Sequence, residues 1–114
     1  MSTETLTLRQ QLIDTARRMA PCGLNRGTAG NLSARASESG TAGFLITPTG
    51  MAYDTLTPDD IVFMRLDGSF EGPRKPSSEW RFHRDIYAER LEAGAILHAH
   101  SPFATTLACL RRDV

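Results

Sequence analysis

Two imidazoles, one carboxylate and three loops of small residues are the parts of this chain that could do chemistry. His98 and His100 follow the apolar run Ala95-Ile96-Leu97 and are separated by one residue. On an extended strand alternate side chains share a face, so both rings point the same way. On a helix they would diverge by roughly 200°. The spacing therefore suits a divalent metal held from a strand, and neutral imidazole is a favoured zinc ligand. Ser101-Pro102 reads as an N-cap and a first helical residue, so the pair sits where a strand ends and a helix begins. Alone, such a pair is more often two packed or surface histidines; its company decides the reading.

Glu79 follows Ser77-Ser78 directly. The ordinary role of such a residue is to stabilise a helix dipole from the first turn, by about 0.3–1 kcal/mol. The sharper role is a general acid/base beside a metal. His83, one turn on, reads as a packing or solvent-facing residue rather than a ligand. Three loops could converge on a phosphate. Gly27-Thr28-Ala29-Gly30-Asn31 offers closely spaced backbone N–H groups, a hydroxyl and an amide, and glycine lets the backbone approach an anion. Thr49-Gly50 offers the same on a smaller scale. Ser77-Ser78 sits at a predicted helix start, where free N–H groups favour an anion. No P-loop pattern occurs, and taken singly each loop is a turn or a cap.

The elements that must position these groups follow from periodicity. Leu8, Leu12, Ile13, Ala16, Met19 and Ala20 recur at helical spacing and predict a helix over about Leu8 to Ala20. Short apolar runs predict strands at Leu32 to Ala36, Phe44 to Thr47 and Ile61 to Leu66, the first two paired as a hairpin around a polar turn. Asp67-Gly68 turns the chain. A second helix is predicted over about Glu79 to Leu91, capped by Ser77 or Ser78, with Phe82, Ile86, Tyr87 and Leu91 as its apolar stripe. The strand bearing His98 comes next, and a last helix is expected from Pro102 toward Arg112. The order is mixed α/β, with at least part of the sheet antiparallel.

Composition bounds the rest. At 114 residues the chain fits one small domain. With 13 basic and 13 acidic residues the formal net charge is +0, and no basic stripe with interleaved aromatics points to nucleic acid. Cys22 and Cys109 lack metal or redox spacing and read as reduced thiols of a cytoplasmic protein. No apolar run approaches the roughly 18 residues of a membrane span, and no secretory leader is visible.

Four motifs occur in order: Gly27-Thr28-Ala29-Gly30-Asn31-Leu32-Ser33, Ile46-Thr47-Pro48-Thr49-Gly50, Pro76-Ser77-Ser78-Glu79-Trp80 and His98-Ala99-His100-Ser101. Together they closely resemble the class II aldolase/adducin superfamily, specifically L-fuculose-1-phosphate aldolase-like enzymes, from about Thr7 to the last residue. The resemblance implies a three-layer α/β/α fold around a central, mainly antiparallel sheet, assembled as a homotetramer. It implies a zinc-dependent aldolase cleaving a phosphorylated ketose to dihydroxyacetone phosphate and a small aldehyde, in sugar catabolism. By that resemblance His98 and His100 match two ligands of one zinc per subunit, and Glu79 matches the catalytic acid/base. Thr28, Asn31, Thr49, Gly50, Ser77 and Ser78 match the phosphate-binding set.

The sequence also departs from the family. The family domain is nearly twice as long, and its third zinc histidine and a proton-donating tail tyrosine lie downstream of Val114. Residues 1–114 are thus expected to be the amino-terminal portion of a single domain, with an incomplete sheet and impaired activity in isolation. Two rivals stand beside the aldolase. A pentulose-5-phosphate 4-epimerase of the same family would use the same sites, but such relatives usually carry Asp where Glu79 stands. A non-catalytic, adducin-like interaction module would lack the zinc histidines, which are present here.

Overall fold

The computed structural model describes residues 5–19, 30–98 and 106–110. Within them helix α1 (Leu6–Met19) is followed by strands β1 (Asn31–Glu38), β2 (Thr41–Ile46), β3 (Val62–Arg65) and β4 (Phe70–Glu71), helix α2 (Trp80–Glu89), and strands β5 (Ala93–His98) and β6 (Thr106–Leu110). The strands form one sheet in the order β4-β3-β2-β1-β5-β6, and every pairing among the described residues is antiparallel.

Alternation along the strands sorts the core into two layers. Leu32 and Ala34 of β1, Leu45 of β2 and Phe63 of β3 face Leu12, Ile13 and Ala16 of α1. On the other side, Phe44 and Ile46, Val62 and Met64, and Ile96 pack with Tyr87 of α2. Burying opposite faces of one sheet under two helices gives the expected α/β/α sandwich. The predicted hairpin is β1–β2, closed at Ser39-Gly40, where both residues have positive φ (53° and 77°). A two-residue turn of that twist matches the strands, and glycine adopts it without strain.

Three arginines lock the layers. Arg9 of α1 is 4% exposed; its guanidinium meets Glu38 of β1 at 2.6 Å and donates to the carbonyls of Pro58 and Ile61 at 2.9 and 2.5 Å. Arg17 donates to the carbonyls of Tyr53 and Leu56, within and after a 3-10 turn at Tyr53–Thr55. Arg35 of β1 donates to the carbonyls of Tyr87, Arg90 and Ala93 at 2.9–3.0 Å, satisfying groups that the C-terminal end of α2 leaves open.

Several expectations are corrected. Residues 106–110, predicted as part of a helix from Pro102 to Arg112, form strand β6 on the outer edge of β5. That edge carries unpaired backbone N–H and C=O groups, and strand pairing satisfies them where a helix would not. Helix α2 runs from Trp80 to Glu89, not from Glu79 to Leu91. Neither serine caps it: Glu79 occupies the N-cap position without a side-chain cap, and the Ser77 hydroxyl accepts the Glu79 N–H at 3.2 Å instead. Of the expected apolar stripe, Tyr87 and Ile86 face the core, whereas Phe82 and Leu91 do not. Leu91 lies beyond the helix at 81% exposed and Phe82 is 38% exposed, while His83 and Tyr87 are the fully buried positions of α2. Strand β4 was not predicted, because two residues carry no period.

Candidate active site

The site lies on the α2 side of the sheet, where β1 begins and β5 ends. Asn31 and His98 are direct partners across the β1–β5 ladder, so their side chains emerge side by side. Above them stands Glu79, at the turn into α2. Its Oε1 is 2.8 Å from Asn31 Nδ2 and 2.6 Å from His98 Nδ1. Phe82, one helical step further, walls this corner, with its ring 5.2 Å from the His98 ring. Glu79 thus contacts both Asn31 and His98 from the N-cap position of α2.

Two loops are fastened beside this corner. Pro48 and Pro76 form an antiparallel bridge; Thr49 N–H donates to the Lys75 carbonyl and Ser77 N–H to the Thr47 carbonyl, at 3.1 and 3.0 Å. Thr47 in turn exchanges hydrogen bonds with Leu32 at the start of β1. Thr49-Gly50 and Ser77-Ser78, far apart in sequence, are thus tied to each other and to the strand that begins with Asn31. Gly50 takes φ 74° at the loop tip, a glycine conformation. Asn31 and Ser77 are buried, while Thr49, Gly50 and Ser78 are exposed.

The backbone cradle expected here is partly spent. The N–H groups of Thr49, Ser77, Glu79 and Trp80 are all donated within the loop pair. Thr28 and His100, predicted for the phosphate and the metal, lie outside the described residues. Gly30, at the exit of the Gly-rich segment, is held by Tyr53, whose hydroxyl donates to the Gly30 carbonyl at 2.6 Å.

An imidazole nitrogen and a carboxylate oxygen are donor types that zinc takes, but at 2.6 Å His98 Nδ1 and Glu79 Oε1 stand as an ion pair rather than as two ligands of one cation. Among the described residues no third His, Cys, Asp or Glu joins them. His98 lies at the end of β5, as its spacing predicted.

Sequence reasoning read His83 and Tyr87 as packing positions and Ser33 as part of a motif, and missed that they form one polar row behind the site. Ser33, His83 and Tyr87 are fully buried and run back from Asn31 into the core. Ser33 Oγ is 2.6 Å from His83 Nδ1 and 2.8 Å from Tyr87 Oη, and His83 Nε2 bonds Asn31 Oδ1. Burial, with the neighbouring His98 adding, pushes His83 down to about 4, against the pull of Glu79. The ring is neutral at pH 7. A signal was available: Glu79, His83 and Tyr87 are spaced by four, and Asn31, Ser33 and Arg35 by two.

Comparison with known proteins places this geometry. The chain is 56% identical over 109 residues to the 5-methylthioribulose-1-phosphate/5-deoxyribulose-1-phosphate aldolase of Rhodospirillum rubrum, covering 96% of this chain and 48% of that protein. It is 45% identical over 107 residues to the L-fuculose phosphate aldolase of Escherichia coli strain K12, covering 94% of this chain and 48% of the relative. A solved L-fuculose 1-phosphate aldolase superposes with a TM-score of 0.76 at 35% identity, over 90% of this chain and 47% of its own. The chain thus spans about half the length of the curated relatives it matches. The family described as the class II aldolase and adducin N-terminal domain matches residues 10–114, and the chain belongs to it.

Proposed function

We propose that this chain carries the metal corner and part of the phosphate site of a metal-dependent aldolase acting on a ketose 1-phosphate. The observation that carries this reading is the contact between Glu79 and His98 at the mouth of the fastened loops. The names support the substrate class, since the Rhodospirillum rubrum relative and the solved L-fuculose 1-phosphate aldolase are both named for ketose 1-phosphates. Retro-aldol cleavage of such a sugar between its third and fourth carbons yields dihydroxyacetone phosphate and an aldehyde.

The chain's own groups have distinct tasks. His98, with His100 outside the described residues, would hold the cation, which when bound supplies Lewis-acid stabilisation of the charge that develops on the ketone and its neighbouring hydroxyl. Glu79, beside it, moves the proton at the carbon–carbon bond that breaks, as general acid/base. Asn31 donates to the Glu79 carboxylate and keeps it turned to the site. Thr49 and Ser78, with Thr28 expected to join them, take the phosphate, whose binding orients the reacting carbons at a distance.

The experiment is zinc titration of the purified chain by calorimetry, then product analysis with L-fuculose 1-phosphate and 5-deoxyribulose 1-phosphate. Stoichiometric zinc and release of dihydroxyacetone phosphate are expected, with slow turnover. An isomeric sugar phosphate as product would make the protein an epimerase. Failure to bind zinc together with no product would favour an interaction module.

A further inference from the structure

Helix α2 meets strand β1 through two matched polar stripes. Four residues of helix rise about 6 Å and two residues of strand about 6.8 Å, so every fourth position of α2 can meet every second position of β1. Glu79 meets Asn31, His83 meets Asn31 and Ser33, and Tyr87 meets Ser33 and Arg35. Apolar residues pack the rest of that interface. A buried polar row in an apolar layer is costly unless every member is satisfied.

The hydrogen positions along this row follow from its acid end. An ionised carboxylate only accepts, so the Asn31 group 2.8 Å from Glu79 Oε1 is its N–H. The reversed amide would set a carbonyl oxygen against the carboxylate. The Asn31 carbonyl then faces His83 Nε2, which must carry the ring proton. The ring being neutral, Nδ1 is bare and accepts the Ser33 hydroxyl at 2.6 Å. Ser33 has one hydrogen, now spent, so the 2.8 Å contact with Tyr87 is donated by the phenol. Every donor points one way: Tyr87 to Ser33, Ser33 to His83, His83 to Asn31, Asn31 to Glu79.

We propose that His83 is a positioning residue, held by the Ser33 hydroxyl as its Nε2–H tautomer, and that it fixes the Asn31 amide with its N–H toward the Glu79 carboxylate. The proposal rests on the reading of Glu79 as a site residue, but the orientation it predicts is observable without turnover. Were His83 protonated on Nδ1 instead, Nε2 would face the Asn31 carbonyl lone pair to lone pair. The amide would turn, and the carboxylate would lose its donor. His83 thus sets which way an acid/base two links away is held, while touching neither substrate nor metal.

The test is the ring nitrogen spectrum of the whole chain carrying 15N-histidine, at pH 7. The expected result is a single Nε2–H tautomer for His83, mixed or reversed in Ser33→Ala. The side-chain amide protons of Asn31 should exchange slowly with solvent in the unaltered chain and in His83→Gln, which keeps one acceptor and one donor. They should exchange at least about tenfold faster in His83→Leu, the fold being checked by the backbone amide spectrum. If His83→Leu does not fold, Tyr87→Phe and Ser33→Ala supply the comparison through the tautomer. An Nδ1–H tautomer or an imidazolium in the unaltered chain overturns the proposal. So does Asn31 exchange that is the same in a folded His83→Leu. Absence of aldol cleavage with an intact Nε2–H tautomer would count against the proposed function alone.

Discussion

His98 Nδ1 and Glu79 Oε1 lie 2.6 Å apart, although one ends β5 and the other precedes α2 on a separate layer. That contact joins the sheet to the helix at the corner where the chemistry is proposed.

Glu79→Gln preserves the size of the side chain and removes its basicity. Turnover of a ketose 1-phosphate should fall by roughly 10²–10⁴-fold, the usual share of a positioned acid/base, with an unchanged circular dichroism spectrum. Retained turnover would assign the proton transfer elsewhere.

Zinc affinity should depend on His98 itself. His98→Ala should weaken binding by more than the roughly 10–100-fold that loss of an outer partner costs, measured by calorimetry at fixed pH. An unchanged affinity would place the cation away from β5.

His83 makes stability depend on pH with a defined sign. Its folded value, about 4, lies below the ordinary 6.5, so on acidification the unfolded chain takes up the proton first. Its contribution is therefore full above pH 6.5, declines as the pH falls toward about 4, and is flat below that. The span corresponds to about 3 kcal/mol. Glu79 and His98 are the titratable groups acting on it. Denaturant unfolding from pH 7.5 to 4 should show a shallower decline for His83→Gln than for the unaltered chain; parallel curves would contradict the assignment.

Arg9→Met should destabilise the fold by about 3 kcal/mol, because it leaves Glu38, whose side chain is 11% exposed, beside the core without its cationic partner and with only the Thr5 hydroxyl on the carboxylate oxygen that Arg9 had met. Replacing both residues by apolar ones should recover part of that loss, since a buried charge left alone costs more than no charge. Urea midpoints of the two variants decide it.

Local pattern carried much of this protein. The 3.6-residue recurrence in α1, the short apolar runs of β2 and β3 and the polar turn between β1 and β2 are short-range signals, the apolar runs reporting strands buried on both faces. The motifs that carry the family resemblance are also local, which is why Glu79, His98 and the loop residues could be named from the chain alone. Residues 106–110 were expected in a helix and form a strand instead, because the unpaired edge of β5 competes for their backbone.

Contacts made at long range were not written in any one stretch. That Pro48 bridges Pro76, that Asn31 faces His98, and that a helix stripe spaced by four docks on a strand stripe spaced by two are outcomes of packing. Residue types told which groups could ligate or move a proton. Their mutual distances, the burial that keeps His83 neutral and the direction of its hydrogen bonds depend on how α2 lies across the sheet. Periodicity says which face is buried, and says nothing of what that face meets.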